Sequence, residues 1–385
     1  MKTTHVFIVD TTTFKYHLEY QFAGTGAKDA YIDFNASSHS SLASQTENNL
    51  VSMMSDSQRV REGDYVIFYL QQNKSEGVYE GEFFGIFKVK QAPSFLDNND
   101  SQQFLNSQLN KSLTYRTLIE PYEVYAKGVT EWEALDEIKY IQSPCQMLWS
   151  LIYRKLKGNR GNTMITVYES ERLFKLLRDK NNHQSLNGAE FTLDIPNQLI
   201  QVSTEHKSYT GRQEPINIFP RLKNKYIENK AFEAHLQAYI VQNVGRNTTP
   251  SLDANLLGGL SLEWLGNEVS CGVGMQRIDI LLDALKDATT RIIIPIELKA
   301  GTASPENMFQ IQRYVDWLEQ YYIPNRIGDI QPVLITLETQ SRSSNRYSQT
   351  LRALRKFSSD NPSCLPLKYI EYQIGNTISF QQIAY

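Results

Sequence analysis

The stretch from residue 277 to residue 299, R-I-D-I-L-L-D-A-L-K-D-A-T-T-R-I-I-I-P-I-E-L-K, restricts the fold of this chain more than any other. Two apolar runs flank a polar turn, which predicts a pair of neighbouring strands. The second run stays apolar until it ends in Glu297-Leu298-Lys299. Alternation along a strand puts Glu297 and Lys299 on one face and Leu298 on the other. A carboxylate and an ammonium at the end of a buried strand cost desolvation free energy unless they are paired or hold a ligand. Asp279, supplied by the neighbouring strand, would complete a small site for a hard cation.

The chain is 385 residues long, enough for two or three domains with a core in each. Its net charge of −3 gives no general attraction to nucleic acid, so any such binding must come from local patches. The three cysteines, Cys145, Cys271 and Cys364, are far apart and in no C-x-x-C pattern, which fits a reduced cytoplasmic compartment and argues against zinc. The first apolar run is four residues long and ends at an Asp, too short for a signal peptide, and no run is long enough to span a membrane.

In chain order, residues 5–9, 31–34, 64–70 and 81–90 read as strands, with Gly85 where a bulge or close backbone approach is expected. Residues 14–22 are amphipathic, and residues 91–115 read as an exposed polar insertion. Short strands between Gly, Asn and Ser clusters predict a β-rich, barrel-like α+β domain over residues 1–204. Within it, R-E-G-D-Y-V-I-F-Y from Arg61, followed by a strand over residues 81–90, resembles PUA- and EVE-type barrels. That resemblance implies a reader of RNA or of modified bases. Residues 147–157 have helical spacing and run into a glycine turn, so Arg154, Lys155, Lys157 and Arg160 form the densest basic patch. Phosphate contact is one reading of it. A helix C-terminus, where cations and Gly are favoured, is the other. Residues 205–224, polar and carrying Pro215 and Pro220, read as a linker to a domain over residues 225–385.

In that second domain residues 226–244 read as one helix whose apolar stripe runs through Phe232, Leu236 and Ile240, with Glu233 beside it. His235 has no second histidine at a metal-binding spacing. After Lys299, Ser304-Pro305 marks a helix start, and that helix carries Gln310 and Tyr314 on one face. A further strand, an Arg-rich helix and two short strands follow. This order predicts a mixed sheet flanked by helices, an α/β class.

Glu233, Asp279, Glu297-x-Lys299 and Gln310-x-x-x-Tyr314, on helix, strand, strand and helix, resemble the PD-(D/E)xK nuclease superfamily and its RecB-like branch. Within that branch G-V-G-M-Q-R-I-D-I-L-L, I-P-I-E-L-K and Q-I-Q-R-Y-V-D-W-L look most like the catalytic domain of NucS/EndoMS-type endonucleases, over residues 225–340. The resemblance implies a restriction-endonuclease-like fold and a Mg²⁺-dependent DNA endonuclease, with Mn²⁺ able to substitute, acting in repair or in defence against foreign DNA. It implies Asp279 and Glu297 as metal ligands with the Leu298 carbonyl as a third. Lys299 would serve the attacking water and the phosphate, Glu233 would act through water or a second ion, and Gln310 and Tyr314 would brace the site. Arg277, on the face of Asp279, is placed to contact the scissile phosphate. A nucleoid-associated protein of the prokaryotic cytoplasm is the expected setting. Cutting both strands needs two sites, so a homodimer is the assembly expected. The alternatives are a modification-dependent restriction nuclease and a nucleic-acid reader on an inactive nuclease fold.

Overall fold

Asp10 shows how the chain begins to fold. The computed structural model describes residues 2–26, 44–109, 111–149, 161–271, 276–323 and 329–385. The T-H-V-F-I-V run forms β1 (Thr4–Val9), and Asp10 ends it by accepting the Thr13 N–H at 2.7 Å, which caps α1 (Thr11–Tyr20). Gln21 then turns the chain with φ +49° into β2 (Phe22–Thr25). α2 (Ser44–Gln58), β3 (Tyr65–Leu70), β4 (Glu82–Leu96), α3 (Asn106–Leu109), β5 (Tyr115–Pro121), β6 (Val129–Thr130) and α4 (Glu131–Asp136) follow. β7 (Asn162–Ile165), α5 (Val167–Lys180), β8 (Phe191–Asp194) and β9 (Leu199–Val202) complete the first of two compact units, which divide mainly between Ile216 and Asn217.

Its principal sheet runs β2-β5-β4-β3-β1-β7 with β6 beside β4, and only β1 and β3 pair in parallel. The sheet is curled into a half-barrel. Two residues of β4, Gly85 and Ile86, lie where the β3–β4 register slips opposite Ile67, and Gly85 has φ +149°. This is the bulge expected at Gly85, and bulges bend and twist a sheet in this way. The expected strand over residues 31–34 and the basic patch of Arg154, Lys155, Lys157 and Arg160 lie outside the described residues.

The expectation of an exposed insertion over residues 91–115 is corrected in part: Ser101, Gln102, Ser107 and Gln108 are exposed, but the stretch around them is not. β4 continues to Leu96, and Asp97, Asn98 and Gln103 are buried. The cause is Arg116, itself 1 % exposed: it pairs with Asp97 Oδ2 at 3.2 Å and donates to the carbonyls of Leu113 and Phe104 at 2.7 and 2.8 Å. Asp97 also accepts from Tyr209 Oη and Arg212 Nε at 2.9 and 3.2 Å. Polarity signalled a loop, but Asp97 is solvated inside by Arg116, Tyr209 and Arg212.

The second unit opens with α6 (Phe219–Ile227) and α7 (Glu233–Asn243), not one helix. Asn229 at φ +53°, with Asn229 N–H on Tyr226 O and Lys230 N–H on Lys225 O, stops α6 in a Schellman turn. Glu233 therefore opens a helix instead of lying in the middle of one. α8 (Pro250–Leu256), β10 (Ser261–Ser270), β11 (Arg277–Leu285), β12 (Arg291–Leu298) and α9 (Asn307–Trp317) come next. β13 (Asp329–Ile330), β14 (Val333–Leu337), α10 (Asn345–Asp360), β15 (Lys368–Ile374) and β16 (Ile378–Gln382) follow. α9 begins two residues after Pro305 because Asn307 Oδ1 accepts the Ser304 N–H at 2.8 Å and forms a separate turn ahead of the helix.

The sheet order is β10-β11-β12-β14-β15-β16, with β13 beside β12. β12, β14 and β15 are parallel, and the outer pairs are antiparallel. One face, with Ile280, Leu282, Ile294, Ile296 and Leu298, packs on Leu236, Ile240 and Leu252 of α7 and α8. α9 covers the other face at β12 and β14. The unit is thus a mixed sheet flanked by helices. Pro295, unusual in a central strand because it lacks an N–H, falls by register opposite Pro332 in the break between β13 and β14. No helix among the described residues is long and apolar enough to cross a membrane, and no disulfide joins the cysteines among the described residues.

His17 supplies a stability test. It is buried, 4.8 Å from Phe22 edge-on and 5.4 Å from Phe68 in a stack, and neither ring nitrogen has a hydrogen-bond partner. Burial above all, then the Arg116 charge, pushes its pKa down from 6.5 to about 3. The unfolded chain takes up a proton near 6.5, so the stability held above that pH is lost as pH falls toward 3, by on the order of 4–5 kcal/mol in full. Calorimetric unfolding between pH 7 and pH 4 should fall less steeply in His17→Leu than in the wild type; parallel curves would remove the effect.

Candidate active site

The β11–β12 ladder runs inward from Leu285↔Arg291 to Ile280↔Ile296. Past that pair the Asp279 side chain takes over from the main chain, its Oδ2 accepting the Leu298 N–H at 2.8 Å. Leu298, buried, gives its side chain to the opposite face, as alternation requires. Glu297 is fully buried. Its Oε2 accepts from Tyr314 Oη at 2.5 Å, across from α9. Its Oε1 lies 2.5 Å from Lys299 Nζ in an ion pair. Lys299 keeps 24 % of its side chain exposed and has Glu233 Oε1 at 3.8 Å.

Glu233 reaches this point because it is the first residue of α7, and its Oε2 is 3.5 Å from the Ala300 N–H. One turn on, Gln237 donates to the Asp279 carbonyl at 2.9 Å and to Glu268 Oε1 at 3.1 Å. Glu268 lies on β10 between the pairs Asn267↔Ile280 and Val269↔Ile278, hence opposite Asp279, and its φ is +52°. A left-handed conformation costs a residue other than glycine roughly 1–3 kcal/mol and gathers at functional sites. Arg277 donates to Glu268 Oε2 at 2.8 Å.

Glu297, Lys299, Glu233 and Tyr314, singled out from sequence, are thus joined by direct contacts, and Asp279 is tied to the same strand end through the Leu298 N–H. Gln310 lies half-buried one helical turn before Tyr314. Arg277 is exposed and bound to Glu268. Gln237 and Glu268 were not anticipated. Gln237 was recoverable from its i+4 spacing to Glu233. Glu268 needed the strand register, which residues 261–277 do not state by themselves.

The charges are unbalanced. Burial above all, then the Glu297 charge, holds the Asp279 carboxyl well above the usual carboxylate range, and the Leu298 N–H and Lys299 offset only part of this. Partial desolvation raises Glu233, with Lys299 opposing and Glu297 and Glu268 adding. For Lys299 burial works against the ammonium, but Glu297, Glu233 and Asp279 outweigh it and raise its pKa. Burial, then the Asp279 and Glu297 charges, keeps Tyr314 protonated. The cluster thus carries excess negative charge that a cation or a proton would relieve. No three His, Cys, Asp or Glu side chains among the described residues are already arranged around one point as a metal cage. The donor chemistry still suits a hard cation. Two strand-end carboxylates, Asp279 and Glu297, are the kind of set that holds Mg²⁺ with waters completing the shell.

No family model matches this chain, and no curated protein does. Among solved structures, a hypothetical protein from Leishmania major is similar at 10% identity and a TM-score of 0.29, over 47% of this chain and 97% of its own. The crystal structure of human THYN1 protein, in complex with 5-methylcytosine containing DNA, is similar at 10% identity and a TM-score of 0.27, over 46% and 97%. An NMR structure from Rhodopseudomonas palustris is similar at 12% identity and a TM-score of 0.24, over 48% and 96%. Likenesses at these scores do not establish a shared fold.

The raised Asp279 pKa makes its ionised form a cost to the fold. Asp279→Asn keeps an acceptor for the Leu298 N–H and removes the charge. Because the folded pKa lies above the unfolded one, the wild type loses stability as pH rises past the unfolded value, and the variant does not. The variant should therefore be more stable by on the order of 1–2 kcal/mol at pH 8, with the gain gone at pH 3. Denaturant unfolding at the two pH values checks this.

Proposed function

We propose that the chain is a Mg²⁺-dependent endodeoxyribonuclease of the PD-(D/E)xK kind, RecB-like and closest in pattern to NucS/EndoMS-type enzymes, with its site in residues 225–340. The observation that carries this reading is the joining of Asp279, Glu297 and Lys299 at the ends of two adjacent strands, with Tyr314 on the Glu297 carboxylate and Glu233 on the Lys299 ammonium.

Asp279, Glu297 and the Leu298 carbonyl would hold the Mg²⁺, or Mn²⁺, which accepts the same hard oxygens. When bound, the ion supplies charge neutralisation at the phosphate and an acidified water. The chain's own groups do the rest. Tyr314 fixes the Glu297 carboxylate by donating to Oε2, and the Leu298 N–H fixes Asp279. Lys299, with its pKa raised, is a cation at neutral pH. It therefore orients water and stabilises the developing negative charge on phosphate oxygens; it does not remove a proton. Glu233, half exposed and 3.8 Å from Lys299, sets the position of that ammonium and can accept a hydrogen bond from water. Gln237 holds the strand of Asp279 from behind.

The first unit, with its curled sheet, is proposed to select the DNA. One panel tests both halves: the full chain with Mg²⁺ or Mn²⁺ on single-stranded, flapped, mismatched, methylated and unmodified duplex DNA. Cleavage is expected, and Glu297→Ala or Lys299→Ala should each lower it by about a hundredfold or more while the chain stays folded. Undiminished cleavage in either variant sinks the assignment. Cutting confined to methylated duplex would assign the first unit a modified-base role. Binding without cutting under any condition would leave the reader with an inactive nuclease fold.

A further inference from the structure

The sheet face that carries Glu297 carries a second charged group two strands away. Glu297 pairs with Leu334 across β12 and β14, and Thr336 pairs with Glu371 across β14 and β15. Alternation puts these four side chains on one face. They also lie at the same end of the sheet, where the Leu337 N–H donates to Gly301 O at 3.0 Å, just past Lys299.

Glu371 is 3 % exposed, and an ionised carboxylate in such a place needs partners. Its Oε1 accepts from Tyr369 Oη at 2.6 Å and its Oε2 from Arg342 Nη2 at 2.5 Å. Arg342 Nη1 donates to Tyr347 Oη at 2.9 Å, with the Tyr347 ring 5.7 Å from the guanidinium carbon, and Glu338 stands off at 4.0 Å. Arg342 is thus fixed on two sides while 43 % of its side chain stays exposed. A guanidinium has about five N–H donors. Glu371 and Tyr347 occupy two groups, and the remaining donors are uncommitted among the described residues. α10 starts beside it, capped by Ser344 Oγ on the Tyr347 N–H at 3.1 Å, so the adjacent helix end has the same electrostatic sign.

Neighbouring strands are ~4.8 Å apart, so β12 and β15 are about 10 Å apart. That is too far for Arg342 to touch a phosphate seated at Lys299, and within reach of a neighbouring phosphate of the same strand. We propose that Arg342 anchors a DNA backbone phosphate flanking the scissile one, and that Glu371 is buried in order to hold it there. The placement of the DNA rests on the nuclease reading of the Lys299 site, but the anchoring can be measured without cleavage.

The experiment is the affinity of the full chain for a short duplex in EDTA, across a range of salt concentrations. Arg342→Ala should weaken binding about tenfold near 0.1 M salt and reduce the slope of log affinity against log salt by about 1, as loss of one phosphate contact requires. Glu371→Gln, which keeps the cation and loosens its support, should weaken binding less and leave the slope intact. A residue that only neutralises Glu371 would lower the unfolding temperature of Arg342→Ala and leave the slope unchanged, and that result overturns the proposal. Wild-type protein that binds no duplex overturns it as well. Wild-type protein that binds DNA but never cuts it with Mg²⁺ overturns the nuclease reading alone, and the slope still decides Arg342.

Discussion

Where main-chain pairing between β11 and β12 stops, the Leu298 N–H would need a partner, and Asp279 Oδ2 provides it at 2.8 Å. The rest of the candidate site depends on that bond. It sets a carboxylate at a strand end with its orientation fixed, on the face where Glu297 and Lys299 emerge one strand over. Burial at this strand end and the Glu297 charge outweigh that N–H and the Lys299 ammonium, and this is why Asp279 holds a raised pKa. The destabilising charge at Asp279 and its fixed orientation are thus two consequences of one placement.

The second unit surrounds this bond with rigid parts. Isoleucines of β12 are packed from the α7 side, and Tyr314 on α9 closes over Glu297 from the other. Glu233 enters because the Schellman turn at Asn229 ends α6 and starts α7 at the sheet's open end. The strained Glu268 backbone, opposite Asp279 and held by Gln237, shows that the fold tolerates cost at this one end of the sheet. Further along the same face the Arg342–Glu371 pair repeats the arrangement: a buried carboxylate fixing a cation at a strand end.

The first unit handles buried charge differently. Arg116 and Asp97 are enclosed together, and Tyr209 and Arg212, inside the stretch that reads as a linker, bind back onto Asp97. Polar composition over residues 91–115 says loop, because single-sequence reasoning equates polarity with exposure. Here Asp97 is buried and satisfied by Tyr209 and Arg212 from more than a hundred residues away, and no local pattern carries that information.

The strands over residues 277–299, the bulge at Gly85 and the shared face of Glu297 and Lys299 were determined by the sequence alone. They follow from β-branched runs, from a glycine inside a strand pattern and from a side-chain period of two, all of which are local. The place of Glu268 opposite Asp279 and the burial of Asp97 and Glu371 were decided only by tertiary structure. A cross-strand partner depends on register, and a charge is buried only if its partner arrives from a distant segment. None of these is a property of a short stretch of chain.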